Sequence, residues 1–365
     1  MRVLFISHQA NQSGAPNALL HELKMLRYYH KEIQPVILLL EGGVLVQEFK
    51  KLFPTIGWYN IFLKAIFKLR LERLFLKFLP IDCIYGNSIV SVDIGLYLKR
   101  RLNVPFILHV HESESYLKNY AKSANYLQNV DSYITVSELC KRCLEQKYDV
   151  ASDKIVIQHP FSPLVVKFME NDREEIPVDK KKDELIIGTI CNGSWPKAPE
   201  LIALIANIFF VKHPHVNCKF MVVGIDKESQ AHYYIAYDLE KMQLQDKVIL
   251  AGRVEQPLYI YSKFDILFLH SREESFSLVA EEAACMGLPI VGFQGATGAA
   301  EWITDECGIL VPYLDLNAAA DALFKLCCDE QLRIKLGNKG NSTIRRMYAE
   351  ESQMKNVANA LYSIV

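Results

Sequence analysis

The stretch Ile266-Leu267-Phe268-Leu269-His270-Ser271-Arg272-Glu273-Glu274-Ser275-Phe276-Ser277-Leu278-Val279-Ala280-Glu281-Glu282-Ala283 reads as one repeat of a βαβ fold. Four apolar residues, Ile266–Leu269, form a buried-strand pattern, and a polar loop follows. Ser277 is placed to cap a helix, and the apolar run Pro289–Gly292 supplies the next strand. Short, continuously apolar strands separated by helices imply a parallel sheet covered on both faces. The same alternation extends outward. In the second half it predicts strands at Leu185–Ile190, Phe220–Val223, Lys247–Leu250 and Ile309–Val311. In the first half it predicts Val3–Ile6, Val36–Leu40, Cys83–Tyr85, Phe106–Val110, Tyr133–Val136 and Ile155–Ile157.

Six strands per half predict two doubly wound, Rossmann-like α/β domains in tandem. The expected boundaries are 1–165 for the first domain and 184–347 for the second. Pro160 to Asp183 carries three prolines and the charged run Asn171-Asp172-Arg173-Glu174-Glu175, so 166–183 reads as a linker. The segment 348–365 has a helical pattern and no strand to feed, so it is expected to pack back on the first domain. Two such domains facing one another would put strand C-termini and helix N-termini around an interdomain cleft, a place for an anionic ligand.

At 365 residues, 50% hydrophobic and 23% charged, the chain is neither disordered, collagenous nor a small disulfide scaffold. A net charge of -1 argues against nucleic acid as a partner. Residues 1–165 carry 20 Lys/Arg and 14 Asp/Glu (20 − 14 = +6), and residues 166–365 carry 21 and 28 (21 − 28 = -7). The two halves thus face different surroundings. The nine Cys are scattered, with Cys285 and Cys307 in small or aliphatic settings, and Cys140/Cys143 have no second ligand pair, so no metal site is expected. A reducing compartment fits this usage best. Met1 to Ser7 is a strand pattern rather than a signal peptide, and no charge-free run of ~18 apolar residues occurs.

The first turn after Ser277 would offer N–H groups suited to phosphate oxygens. Glu274 precedes that cap and Glu282 lies between one and two turns inside; either carboxylate could accept hydrogen bonds from vicinal hydroxyls. The plainer alternative is that Glu281 and Glu282 are acids favoured by the helix dipole.

Glu274 to Glu282 (E-S-F-S-L-V-A-E-E) resembles the E-x7-E signature of glycosyltransferase family 4, retaining enzymes of the GT-B fold. The resemblance continues through Ala283-Ala284-Cys285-Met286-Gly287-Leu288-Pro289-Ile290-Val291, Gly298-Ala299-Ala300-Glu301 and Gly308-Ile309-Leu310-Val311-Pro312. Ser7 to Leu20, with Gly14-Ala15-Pro16, is similar to the family's N-terminal glycine loop, and Val110-His111-Glu112 to its V-H-D. The motifs occur in the family's order over nearly the whole chain.

The resemblance implies site roles. Glu282 would bind the ribose of a nucleotide sugar. Glu274, with the backbone of Ser275, Phe276, Ser277 and Leu278, would hold the donor sugar and phosphates. His111 would lie at the reacting face, Gly14 and Ala15 would let the backbone approach the diphosphate, and Lys197 would neutralise it. The backbone at Arg253 and Val254 would contact the base, UDP or GDP. Three positions depart from the pattern. Thr189 stands where the family has Arg, leaving Arg272 or Arg253 as stand-ins. Ala198 replaces Gly after Lys197, and His270 replaces a common Pro.

His109 and His111, on a strand pattern, are expected to point to opposite faces, with one of them a structural His. His159, His213 and His215 have no partner at metal-ligand spacing and read as structural, and Lys180-Lys181-Lys182 as a solvated run. There is no D-x-D, no G-x-G-x-x-G after the first strand and no G-x-S-x-G. The expectation is a metal-independent, cofactor-free, retaining hexosyltransferase of the cytoplasm. It would transfer from a nucleoside diphosphate sugar to a glycan or lipid-linked acceptor in bacterial cell-envelope polysaccharide synthesis (capsule, O-antigen or similar). The alternatives are a soluble acceptor, an epimerase or inverting enzyme on the same fold, and a nucleotide-sugar-binding protein without turnover.

Residues 57–79 hold five Lys/Arg, one Glu and many large apolar residues. Asn60, Lys64, Lys68 and Glu72 step by four along one face, and Arg73 and Lys77 shift to another. Such a helix can lie in an anionic membrane surface. The alternative is a helix covering the first sheet with its basic stems reaching water.

Overall fold

The computed structural model describes residues 1–11, 14–57, 80–120, 124–170, 184–254 and 257–365. Among them, thirteen strands form two all-parallel sheets. The first contains β1 (Arg2–Ser7), β2 (Gln34–Leu39), β3 (Thr55–Gly57), β4 (Cys83–Asn87), β5 (Phe106–Val110), β6 (Ser132–Thr135) and β7 (Ile155–Ile157), in the order β3-β2-β1-β4-β5-β6-β7. The second contains β8 (Leu185–Ile190), β9 (Cys218–Val223), β10 (Val248–Gly252), β11 (Ile266–Leu269), β12 (Ile290–Phe293) and β13 (Gly308–Val311), in the order β10-β9-β8-β11-β12-β13. The doubly wound reading therefore holds for both halves.

Strand β3 is the exception: three residues after Pro54, paired Ile37 to Thr55 at the sheet edge, with no apolar run to betray it. The expected amphipathic stretch 57–79 lies outside the described residues except for Gly57, the last residue of β3.

The chain divides into two units, Met1–Pro163 with Ala349–Val365, and Leu164–Tyr348. Pro163–Glu170 is helical, and 171–183 lie outside the described residues. In the first unit, apolar side chains bury on both faces of the sheet. One face packs Leu19, Leu23 and Leu26 of the helix Gly14–Tyr29, together with Val357, Ala358 and Leu361 of the closing helix Lys355–Ile364. Glu351 fastens that closing segment: its carboxylate accepts from the His159 backbone N–H (2.8 Å) and meets His159 Nδ1 at 2.5 Å. In the second unit, a Cβ at Gly188 would fall 2.2 Å from the Phe264 ring, so glycine there lets the ring lie against β8.

Each sheet reverses its strand order once, between β1 and β4 and between β8 and β11. Ligands of open α/β sheets bind beyond the strand C-termini at such points. Four segments emerge there: the turn into the helix Gly14–Tyr29 after β1, Asn87 and Ser88 at the end of β4, the Trp195–Lys197 turn after β8, and residues 270–277 after β11. Among the described residues no helix is long and apolar enough to cross a membrane, and no group of three His, Cys, Asp or Glu could hold a metal ion.

Candidate functional site

In the second unit, Ser277 precedes the helix Leu278–Cys285, and its Oγ accepts the Ala280 N–H at 3.4 Å. Its backbone sits at φ 100°, ψ 88°. A side chain at such an angle costs on the order of 1–3 kcal/mol and persists only when its surroundings fix it. They do so here. The Phe276 carbonyl accepts from Thr297 Oγ1 (2.7 Å) and from the Ala299 N–H (3.0 Å). Glu274 N–H donates to Ala296 O (2.8 Å), and Gly298 N–H to Glu274 O (3.1 Å). The segment 296–299 is thus the brace of the 274–277 loop.

The Glu274 carboxylate is 7% exposed and lies 2.7 Å from Lys197 Nζ. Burial alone would raise its pKa. The Lys197 charge and the hydrogen bonds from Lys197, Ser271 and Ser277 outweigh burial and hold it below the ordinary value. Lys197 ends the turn Trp195–Lys197. Ala198 follows at φ 50°, ψ 46°, the left-handed region that favours the glycine it replaces. His270 is 1% exposed, its ring nitrogens have no hydrogen-bond partner among the described residues, and burial pushes its pKa down to about 4.

Glu282 is half-buried, and Tyr261 donates its hydroxyl proton to Glu282 Oε2 at 2.5 Å. Leu164, Val165, Phe168, Cys285 and Met286 line a mostly apolar pocket beside this pair. Neither stand-in for the missing arginine is unpaired. Arg272 meets Glu200 at 2.5 Å and lies over the Trp195 ring at 5.6 Å. Arg253, its side chain 77% exposed, faces Asp226 at 3.6 Å, with Val254 next to it. Thr189 itself is buried in β8.

In the first unit, His111 Nε2 lies 2.7 Å from Asn87 Oδ1, and Asn87 Nδ2 donates to the Ala15 carbonyl at 3.1 Å. A carboxamide oxygen only accepts, so Nε2 carries the proton. Burial, then the charges of His109 and His8, hold the His111 pKa well below its ordinary value. A Cβ at Gly14 would meet nothing within 4 Å. Glu112 Oε2 accepts the N–H groups of Ile89 (3.1 Å) and His111 (3.0 Å), and burial nonetheless raises its pKa.

The expected opposition of His109 and His111 fails. Their ring centroids lie 4.0 Å apart, tilted by 34°. Side chains two residues apart along a strand lie on the same face, so the strand period itself brings the two rings together. Sequence reading also missed Asn87, Tyr261 and Ser271, each a single polar residue outside any motif. Only Asn87 left a trace, as a polar residue closing an apolar strand.

Residues 26–161 match the family model described as Glycosyltransferase Family 4, and residues 185–329 that described as Glycosyl transferases group 1. The D-inositol 3-phosphate glycosyltransferase of Corynebacterium jeikeium (strain K411) is 24% identical over 286 residues, 70% of this chain. The match spans 66% of that relative's own length. The lipopolysaccharide outer core galactosyltransferase WaaB, in its apo form, superposes with a TM-score of 0.79 over 100% of both chains at 14% identity. Anabaena Alr3699/HepE in complex with UDP and glucose superposes with a TM-score of 0.74 over 99% of both at 17% identity. The fold is GT-B. With one family model on each sheet, in the order the motifs run, the chain belongs to glycosyltransferase family 4.

Proposed function

We propose that the chain is a retaining glycosyltransferase that moves a sugar from a nucleoside diphosphate sugar to an acceptor hydroxyl without a metal ion. The observation that carries this reading is the buried Lys197–Glu274 pair at the head of the capped helix Leu278–Cys285. Bond cleavage adds negative charge to the leaving diphosphate. A lysine charge and helix N-terminal N–H groups favour that state over the ground state. In this reading Lys197 serves both the Glu274 carboxylate and the diphosphate. Glu274 and the backbone of Ser275 to Leu278 hold the donor sugar and phosphates, Glu282 takes the ribose hydroxyls, and Arg253 and Val254 meet the base. The open space beside Gly14 supports a close backbone approach of Gly14 and Ala15 to the diphosphate. His111 contacts a donor hydroxyl or the leaving phosphate, which in turn assists deprotonation of the acceptor on the same sugar face.

UDP bound to one structural neighbour and the lipopolysaccharide role in the name of another support a UDP-sugar donor and a cell-envelope glycan acceptor. The basic stretch 57–79 supports cytoplasmic-face attachment to anionic lipid, where such an acceptor would be carried. Co-sedimentation with anionic liposomes that weakens with salt would support that location, and no binding at low salt would leave a soluble acceptor.

A thermal-shift screen of UDP, GDP, ADP and their sugars tests the donor, since ligand at 100 Kd adds about 2.7 kcal/mol. NMR of the product's anomeric carbon tests the stereochemistry. Inversion overturns the retaining mechanism. Binding with neither hydrolysis nor transfer leaves a binding protein.

A further inference from the structure

The first unit buries ionisable groups that the proposed reaction does not use. Glu22, on the helix Gly14–Tyr29, is 3% exposed, and its Oε1 lies 3.6 Å from His109 Nδ1. The Tyr85 hydroxyl donates to Glu22 Oε2 at 3.3 Å and stands 2.6 Å from the same Nδ1. A hydroxyl has one proton. Given to Glu22, it leaves Tyr85 oxygen as an acceptor, so His109 carries a proton on Nδ1. Tyr85 and His109 are both fully buried, and His109 Nε2 has no hydrogen-bond partner among the described residues. The His109 ring lies against that of His111, whose Nε2 proton goes to Asn87.

The Glu22–Tyr85–His109 chain thus fixes which His109 nitrogen carries a proton and holds the ring in place. We propose that Glu22, Tyr85 and His109 are positioning residues. They fix the ring stacked on His111, which with Asn87 holds His111 protonated at Nε2, with Nδ1 presented as an acceptor to a substrate hydroxyl. The assignment rests on the glycosyltransferase reading only in taking that hydroxyl to be the donor sugar's. The same links tie the helix Gly14–Tyr29 to β4 at two places, Ala15 through Asn87 and Glu22 through Tyr85.

Long-range 1H–15N spectra of the full chain labelled at histidine test this near pH 7, with His111 assigned by its absence in His111→Gln. In the wild type, His111 should show a protonated Nε2 and an unprotonated Nδ1. Glu22→Gln and Tyr85→Phe keep shape but break the relay. In each, the His111 signals should move toward mixed tautomers or the charged form. Turnover should fall by roughly ten- to a hundred-fold with donor KM within about two-fold. A wild-type His111 protonated at Nδ1, or unchanged His111 signals and kcat in a folded variant, overturns the proposal. If Glu22→Gln fails to fold, Tyr85→Phe alone decides. The spectra need no substrate, so a wild type without donor binding or transfer sinks the enzyme reading and leaves the relay to be judged on its own.

Discussion

Each unit places a strained serine on the segment that leaves a strand at its switch point: Ser88 (φ 88°) directly after β4 in the first, and Ser277 (φ 100°) at the end of the loop after β11 in the second. Each serine has a carboxylate beside it, the half-buried Glu112 in the first unit and the buried Glu274 in the second. The carboxylates do different things. Glu112 arrives from β5 and closes the start of the Ile89–Ser91 turn by accepting the Ile89 N–H. Glu274 belongs to the same loop as its serine and turns to Lys197. The first unit therefore satisfies its helix start from within and offers side chains, His111 and Asn87. The second spends its carboxylate on a lysine and keeps a capped helix as a binding element.

The largest expected effect breaks the second arrangement. Lys197→Ala leaves Glu274 buried and unpaired. Losing one partner of a buried pair costs ~3–5 kcal/mol, and Lys197, its side chain 27% exposed, places this near the lower figure. Urea unfolding should show the loss, and kcat/KM should fall with it. Adding Glu274→Gln should restore stability without restoring transfer. If Lys197→Ala alone unfolds like the wild type, the pair does not hold the loop, and the contrast with Glu112 disappears.

His270 gives the next effect, and its sign follows from its buried, unpaired ring. Its pKa is about 4 in the folded chain against an ordinary 6.5. Between those values the unfolded chain binds a proton that the native chain excludes, so stability falls as pH drops through that window. The full loss is about 3 kcal/mol at the acid end. His270→Gln should flatten this limb in urea unfolding at pH 7 and pH 4.5. His111, also held low, contributes in the same direction from the first unit and should remain. An unchanged acid limb in His270→Gln would mean that His270 is protonated or solvated when folded.

The two sites also differ in how far sequence betrays them. The second is contiguous: β11, the 270–277 loop and the helix it opens follow one another. The period of apolar residues, a cap and two carboxylates could be read directly from residues 266–291. Of its brace, Ala299 fell inside a motif and Thr297 just before it. The first site is assembled from the start of one helix and the ends of two strands. Asn87 joins Ala15 across 72 residues and His111 across 24, and no local pattern encodes such pairings. His109 and His111 are two residues apart, and the strand period of two puts such side chains on one face, so their contact was legible in the sequence and the expected opposition was mistaken. The alternation of strands and helices was legible in the sequence; the strand order that sets the two switch points and the polar side chains that hold each site were not.

The smallest expected effect compares those hidden holders. Asn87 fixes His111 in the first unit, and Tyr261 fixes Glu282 in the second. Glu282→Ala removes a carboxylate proposed to accept from two ribose hydroxyls. Charged hydrogen bonds are worth about 1.5–3 kcal/mol, so donor affinity in titration calorimetry should drop by roughly ten- to a hundred-fold. Tyr261→Phe leaves the ring packed edge-on to Phe264, 6.1 Å between centroids, and removes only the hydroxyl. If that hydroxyl aims the carboxylate, its loss should cost about 1 kcal/mol, roughly five-fold in affinity. Tyr261 also occupies a lone pair that a ribose could use. Should Tyr261→Phe bind donor more tightly than the wild type, Tyr261 competes with the ligand rather than orienting Glu282. The second unit would then have no counterpart to Asn87. A loss as large as that of Glu282→Ala would instead make the tyrosine and the carboxylate one binding group.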